Sequence, residues 1–123
     1  MPKILIVDDS SLMIRLLQYM LQSAGYDTEA VSSGQAALES IAARRPAMVF
    51  LDIMMPDMDG LETLRQIRAD ARTQDLPVVV LTAKAQEADQ EAALHAGAND
   101  YLRKPYTSAQ VLSAVKKHCQ GAP

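Results

Sequence analysis

Short apolar runs alternate with longer segments of helical periodicity along the whole chain, five times in succession. The run at 78–81, Val-Val-Val-Leu, is too uniformly apolar for either face of a strand to meet water. Buried strands that are separated by helices are typical of a parallel sheet with helices on both sides. The alternation therefore predicts a three-layer α/β domain.

Periodicity, glycines and prolines give the boundaries of the predicted elements. We expect strands at 3–7, 27–31, 47–51, 78–81 and 99–102. We expect helices at 11–24, 34–45, 60–70, 86–96 and 107–119. The first helix is expected to be capped by Ser10 or Ser11. Its expected inward face contains Met13, Leu16, Leu17, Met20 and Ala24.

Composition limits the class of protein. The 123 residues suffice for one domain, expected at 1–123 without an output domain. A net charge of −3 with interspersed signs provides no basic stripe for direct nucleic-acid binding. The single Cys119 cannot form an internal disulfide, and the sequence shows neither a signal peptide nor a membrane span. We therefore expect a cytoplasmic domain without membrane insertion.

Two predicted strands end in carboxylates. Asp8 and Asp9 follow the first strand, and Asp52 follows the third. If the strands take the doubly wound, flavodoxin-like order 2-1-3-4-5, these carboxylates meet Thr82 and Lys104 at the carboxyl edge of the sheet. Clustered carboxylates repel one another, and oxygen ligands favour Mg²⁺, with Mn²⁺ possible. Such an edge could hold a phosphoryl group on Asp52, with Lys104 and the metal neutralising its oxygens.

These residues, in this order and at this length, resemble the receiver domain of two-component response regulators, in particular the stand-alone chemotaxis type. The resemblance covers essentially the whole chain. It rests on Asp8-Asp9, on Asp52 within LDIMMPDMDG, on Thr82-Ala83 within VVVLTAK and on Lys104-Pro105 within DYLRKPY. It implies a regulatory phosphoprotein rather than an enzyme, which accepts a phosphoryl group from a sensor histidine kinase or a phosphotransfer protein. It also implies a downstream protein target and a monomer or a weak phosphorylation-dependent dimer.

The resemblance also implies a role for each residue of the site. Asp52 is the implied phospho-acceptor. The implied metal ligands are the carboxylates of Asp9 and Asp52, that of Asp8 either directly or through water, and the backbone carbonyl of Met54. The implied phosphate ligands are the Thr82 hydroxyl, the Ala83 N–H and the Lys104 ammonium group, and the Lys104–Pro105 bond is expected to be cis. Tyr101 matches the aromatic switch residue, which turns inward when the threonine moves towards the phosphate and reshapes the helix 4–strand 5–helix 5 face.

Other interpretations remain open from the sequence. Asp8 and Asp9 could simply cap the following helix. A flavodoxin would share the fold, although these carboxylates would repel a flavin phosphate. An aspartyl phosphatase would place a second Asp where this chain has Met54. A pseudo-receiver, a phosphorelay intermediate and a receiver excised from a longer regulator are further alternatives.

Four residues outside the predicted site have separate expectations. Ile14, which the sequence puts off the inward face of the first helix, is a candidate contact for a kinase or phosphotransfer helix. His95 and His118 are expected at solvated helix positions. Cys119 is expected to be structural or inert.

Overall fold

The computed structural model describes residues 2–53, 60–82 and 87–119. Its strands are β1 Lys3–Val7, β2 Asp27–Val31, β3 Met48–Asp52, β4 Val78–Thr82 and β5 Asp100–Arg103. Its helices are α1 Ser11–Ser23, α2 Gly34–Ala43, α3 Gly60–Ala69, α4 Glu87–His95 and α5 Ser108–His118. Strands and helices alternate as the sequence predicts. None of the helices in the described part of the chain has the length and apolar character of a membrane-spanning segment.

The strands form one parallel sheet of order β2-β1-β3-β4-β5, which confirms the predicted flavodoxin-like order. The register places Val7 opposite Leu51 and Leu51 opposite Val80. Val80 in turn lies opposite Tyr101 on β5. The strands β1, β3 and β4 all end within two residues of this row, so the residues that follow it lie along one edge of the sheet.

The sheet separates two apolar cores because alternate residues of each strand point to opposite faces. On one face, which we call the α1/α5 side, helix residues such as Leu17 and Val111 pack on strand residues such as Phe50. On the other face, the α2/α3/α4 side, Leu64 and Ala93 pack on the remaining strand residues. Each fully buried aliphatic side chain of this kind contributes about 1.5–3 kcal/mol.

The inward face of α1 differs from the predicted one. Leu17 and Leu21 are fully buried, and Ile14 packs against the α1/α5-side core. Leu16 is instead 42% exposed, and Ala24 is exposed as well. The expectations for Leu16, Ala24 and Ile14 were therefore wrong, because the face that meets the sheet is centred on positions 17 and 21. Ser10 is the N-cap, since its side chain accepts a hydrogen bond from Met13 N.

Several ends of elements also differ from the sequence-based boundaries. The second helix ends at Ala43 rather than at 45, because Arg44 has an extended backbone with φ −158°. Asp52 is the last residue of β3 instead of the residue after it. His118 is not a solvated position, since its Nε2 lies 3.1 Å from Asp100 Oδ2 and its side chain is 16% exposed. His95 is exposed, as expected.

A half-buried arginine joins α3 to the two segments that lead into β4 and β5. Arg68 Nε donates to Gly97 O at 2.8 Å, and Nη1 donates to Leu76 O at 2.7 Å and Thr73 O at 3.3 Å. Its Nη2 donates to Asn99 Oδ1 at 2.9 Å. Burial lowers the pKa of this guanidinium group. Arg68 therefore fixes the approach of β4 and β5 through carbonyl acceptors.

Replacing Arg68 by methionine is expected to lower the free energy of unfolding by about 2–3 kcal/mol, because partly buried carbonyl acceptors lose their donor. Urea unfolding measures the loss. Arg65→Met is the matched control on the same helix, since Arg65 is 58% exposed and its pair with Glu62 spans 3.4 Å. The control is expected to change stability by less than about 0.5 kcal/mol. Equal losses in both variants would contradict the role assigned to Arg68.

Candidate functional site

Three carboxylates converge at the carboxyl edge of the sheet. Asp52 ends β3, and Asp8 follows the last residue of β1. The ligand oxygens of Asp8, Asp9 and Asp52 all lie within 4.8 Å of one another. By strand alternation, Asp8 continues the row of Ile6 and Asp52 continues the row of Phe50, both on the α1/α5 side. The structure thus brings together the carboxylates that the sequence places at two strand ends.

The three carboxylates differ in their contact with water. Asp8 is fully buried and Asp52 is 3% exposed, whereas Asp9 is exposed. The cluster therefore opens to solvent on the side of Asp9. Asp8 Oδ1 accepts a hydrogen bond from Ser10 N at 2.9 Å, which ties the cluster to the start of α1. The N-cap residue of α1 is Ser10 rather than Asp8. Capping of the helix therefore accounts for only part of the role of Asp8.

Lys104 brings a positive charge to two of these carboxylates. Its Nζ lies 3.1 Å from Asp8 Oδ2 and 3.6 Å from Asp52 Oδ2, and its side chain is 18% exposed. The backbone holds the lysine in place, since Lys104 N donates to Thr82 O at 2.8 Å. The Lys104–Pro105 peptide is cis, as expected. Within the described ranges, one ammonium group balances only part of the charge of the cluster.

Thr82 borders the cluster from the other face of the sheet. It ends β4, is 2% exposed and follows the row of Val80, which belongs to the α2/α3/α4 side. Tyr101 packs against the same core and lies opposite Val80. Thr82 and Tyr101 therefore share one face, while Asp8 and Asp52 share the other. Met54 and Ala83, the remaining sequence-based candidates, lie outside the described residues.

A close backbone approach fixes the end of β3 against the start of α3. Gly60 N donates to Ile53 O at 3.2 Å. A Cβ at Gly60 would collide with the backbone of Ile53 and Asp52. Only glycine allows this contact without a shift of the strand that carries Asp52. Gly60 is thus a positional requirement of the site.

Tyr106 is a buried residue near the site that sequence reasoning did not single out. It is 8% exposed within the α1/α5-side core. Its hydroxyl forms no hydrogen bond with the described part of the chain. Burial, followed by the negative charges of Asp8 and Asp52, raises the pKa of Tyr106. A buried hydroxyl without a partner costs about 1–3 kcal/mol, and the only sequence signal was a tyrosine where a phenylalanine would fill the same space.

The donor set of the cluster suits a hard divalent cation. All ligand atoms in it are carboxylate oxygens, and the exposed side leaves room for water or a second anion. Mg²⁺ prefers oxygen ligands and commonly keeps several waters, so these residues fit it. Lys104 is placed to bind an anionic group that enters the same opening.

Replacing Lys104 by methionine is expected to lower the free energy of unfolding on the order of 3 kcal/mol, because buried Asp8 loses its ion-pair partner. Urea unfolding measures this loss, and adding Asp8→Asn is expected to recover most of it. Lys3→Met is the matched control at the other end of the sheet, where the partner Glu29 is 41% exposed. A loss in Lys104→Met no larger than in the control would contradict the electrostatic role of Lys104.

Comparison with known families identifies one match that covers most of the chain. The model of the response regulator receiver domain matches residues 4–116. The alkaline phosphatase synthesis transcriptional regulatory protein PhoP of Bacillus subtilis is 40% identical over 114 residues, which are 93% of this chain and 47% of that protein. The response regulator MprA of Mycolicibacterium vanbaalenii is 42% identical over 114 residues, which are 93% of this chain and 48% of that protein. The chain thus spans about half the length of these relatives.

Solved structures show the same architecture. The receiver domain of the sensor histidine kinase PA1611 from Pseudomonas aeruginosa has a TM-score of 0.89 and 33% identity, with 95% of this chain and 96% of that chain covered. That structure has a magnesium ion coordinated in its active-site cleft. The chemotaxis protein CheY4 of Vibrio cholerae has a TM-score of 0.90 and 28% identity, with 96% and 98% covered.

Proposed function

Since the chain belongs to the family of response regulator receiver domains, we propose that it is a phosphorylation-driven switch of two-component signalling. In this proposal Asp52 accepts a phosphoryl group from the phosphohistidine of a sensor kinase or a phosphotransfer protein. The observation that supports it most is the contact of Lys104 Nζ with two buried carboxylates, at 3.1 and 3.6 Å, beside a third that is exposed. We further propose a cytoplasmic location and a regulatory rather than an enzymatic role.

Each residue of the cluster has a part in the proposed transfer. An Asp52 oxygen attacks the phosphorus, the P–N bond breaks, and the imidazole leaves with the electron pair of that bond. Lys104 is placed to turn from Asp8 to the transferring oxygens and neutralise them. Asp8, Asp9 and Asp52 would hold Mg²⁺, with the backbone carbonyl of Met54 as a further ligand. When bound, the metal supplies positive charge to the phosphoryl oxygens.

The proposed output uses the face of the sheet opposite to the carboxylates. The Thr82 hydroxyl, with the Ala83 N–H, would bind the phosphoryl group and move towards the α1/α5 side. Tyr101, half-buried on the same face as Thr82 and one pleat further from the edge, is placed to turn into the vacated space. This rotation would change the α4–β5–α5 surface and thereby the binding of a downstream protein.

The arrangement of charges disfavours the two alternative functions that share this fold. A flavodoxin binds an anionic flavin phosphate at this edge, where the chain instead buries Asp8 and Asp52. An aspartyl phosphatase needs a second acid two residues after its nucleophile, where this chain has Met54. A phosphorelay intermediate fits the same site chemistry and differs only in the protein that receives the phosphoryl group.

Acetyl phosphate with Mg²⁺ is expected to add one phosphoryl group to the purified chain, as measured by intact mass spectrometry. Asp52→Asn is expected to abolish the gain, and removal of Mg²⁺ by a chelator is expected to suppress it. Asp27→Asn is the matched control, because Asp27 is an exposed carboxylate on β2, outside the cluster. The proposal fails if the wild-type chain gains no mass or if Asp52→Asn gains as much as the wild type.

An exposed apolar stripe on α1 is our proposed contact for the phosphoryl donor. Leu12 is 64% exposed, Leu16 42% and Tyr19 74%, and their i, i+4, i+7 spacing puts them on one face of the helix. The helix starts two residues after Asp9, which lies on the open side of the cluster. The stripe therefore begins near that side and continues along the helix. This stripe replaces Ile14 as the candidate contact, because Ile14 packs inward.

Leu16→Ser with Tyr19→Ser is expected to slow phosphotransfer from the cognate kinase at least tenfold, since contact with the donor helix is lost. Phosphorylation by acetyl phosphate, which needs no docking, is expected to stay within twofold of the wild-type rate. Leu94→Ser is the matched control, because Leu94 is 48% exposed on α4. Unchanged kinase transfer in the double variant, or equal slowing with acetyl phosphate, would rule out docking through the stripe.

A further inference from the structure

Tyr106 is buried on the side of the sheet that carries Asp8 and Asp52, within reach of their negative charges. It packs in the same core as Ile6 and Phe50, which precede Asp8 and Asp52 by two residues on the same face of the sheet. It also follows Lys104 and the cis peptide to Pro105, so the chain that positions the lysine positions the tyrosine too. The phenol thus lies in the apolar core on the side of the acidic cluster.

The hydroxyl of Tyr106 has no hydrogen-bond partner in this structure. Among the described residues it is the one buried side-chain polar atom without a hydrogen bond, and the residue is only 8% exposed. Phenylalanine would fill the same space without leaving a polar atom unpaired. A buried donor of this kind is explained if another state of the site supplies its acceptor.

Asp8, which would also hold Mg²⁺, loses one of its two hydrogen-bond donors if Lys104 turns away in the loaded site, and carboxylates that hold a metal are kept in position by such hydrogen bonds. In the present structure its Oδ1 accepts from Ser10 N and its Oδ2 accepts from Lys104 Nζ. If Lys104 turns to a phosphoryl group, Oδ2 loses that donor. Asp8 is fully buried, so bulk water does not replace the lost hydrogen bond.

We propose that Tyr106 is a positioning residue of the loaded site, whose hydroxyl donates a hydrogen bond to the Asp8 carboxylate once Lys104 has moved to the phosphoryl group on Asp52. The hydroxyl then holds Asp8 in place and leaves Lys104 free to neutralise the phosphoryl oxygens. This inference rests on the proposed function, because it requires a loaded state. It predicts that the hydroxyl stabilises the loaded state and does not stabilise the unloaded one.

The test compares wild type and Tyr106→Phe with and without Mg²⁺ plus beryllofluoride, a noncovalent mimic of an aspartyl phosphate. Without the mimic, Tyr106→Phe is expected to have an unfolding midpoint equal to or above that of the wild type. Its affinity for beryllofluoride is expected to be about tenfold weaker, the equivalent of one hydrogen bond to a charged group. Loss of phosphate from the phosphorylated variant is expected to be several-fold faster.

Tyr26→Phe is the matched control, because Tyr26 is also 8% exposed in the same core but lies at the amino end of the sheet. It is expected to leave beryllofluoride affinity within twofold of the wild-type value. Unchanged affinity in Tyr106→Phe overturns the inference and leaves the proposed function intact. A lower unfolding midpoint or a failure to fold without the mimic also overturns it, since the hydroxyl would then be paired in the unloaded state. A wild-type chain that takes up neither beryllofluoride nor phosphate overturns both.

Discussion

Asp8 and Asp52 are held almost entirely out of water, and Lys104 Nζ, at 3.1 and 3.6 Å, supplies positive charge between them. Burying a carboxylate costs several kcal/mol unless it is paired and hydrogen-bonded. The parallel register brings the two carboxylates together, since Val7 and Leu51 are level and the residues after them meet at the same edge. Among the described residues, one ammonium group faces three carboxylates, so negative charge predominates at this edge. The same constraint that makes this edge costly therefore makes it receptive to a divalent cation.

Strand alternation assigns different tasks to the two faces of this edge. Asp8, Asp52 and Lys104 stand on the α1/α5 side, where the proposed phosphoryl transfer takes place. Thr82 and Tyr101 stand on the α2/α3/α4 side, which leads to the proposed output surface. In the proposed function, a group bound between Asp52 and Thr82 would act on both faces at once. A local change of charge would then alter the packing of Tyr101, one pleat from Thr82.

The sequence predicted the order of elements, the strand order and the carboxylates at the strand ends, because these depend on local periodicity and on residues at fixed places. It did not select the inward face of α1. Apolar residues on several faces of that helix satisfy a helical period in more than one way, and only packing distinguishes Ile14 from Leu16. The contact of His118 with Asp100 joins α5 to β5, so no local sequence pattern predicts it. The sequence did not single out Tyr106, because it stands between Lys-Pro and Thr-Ser, where no periodicity indicates whether its side chain is buried.

The most direct test of the proposed phosphorylation of Asp52 is to locate the phosphoryl group on the chain. Reducing the phosphorylated chain with borohydride converts an aspartyl phosphate to homoserine, and peptide mass spectrometry then locates the altered residue. Homoserine is expected at position 52 alone, since Asp52 lies 3.6 Å from Lys104 Nζ and ends the strand that pairs with the strand of Thr82. Homoserine at Asp8 or Asp9, or a stable phosphoryl group that borohydride does not reduce, would contradict the proposal.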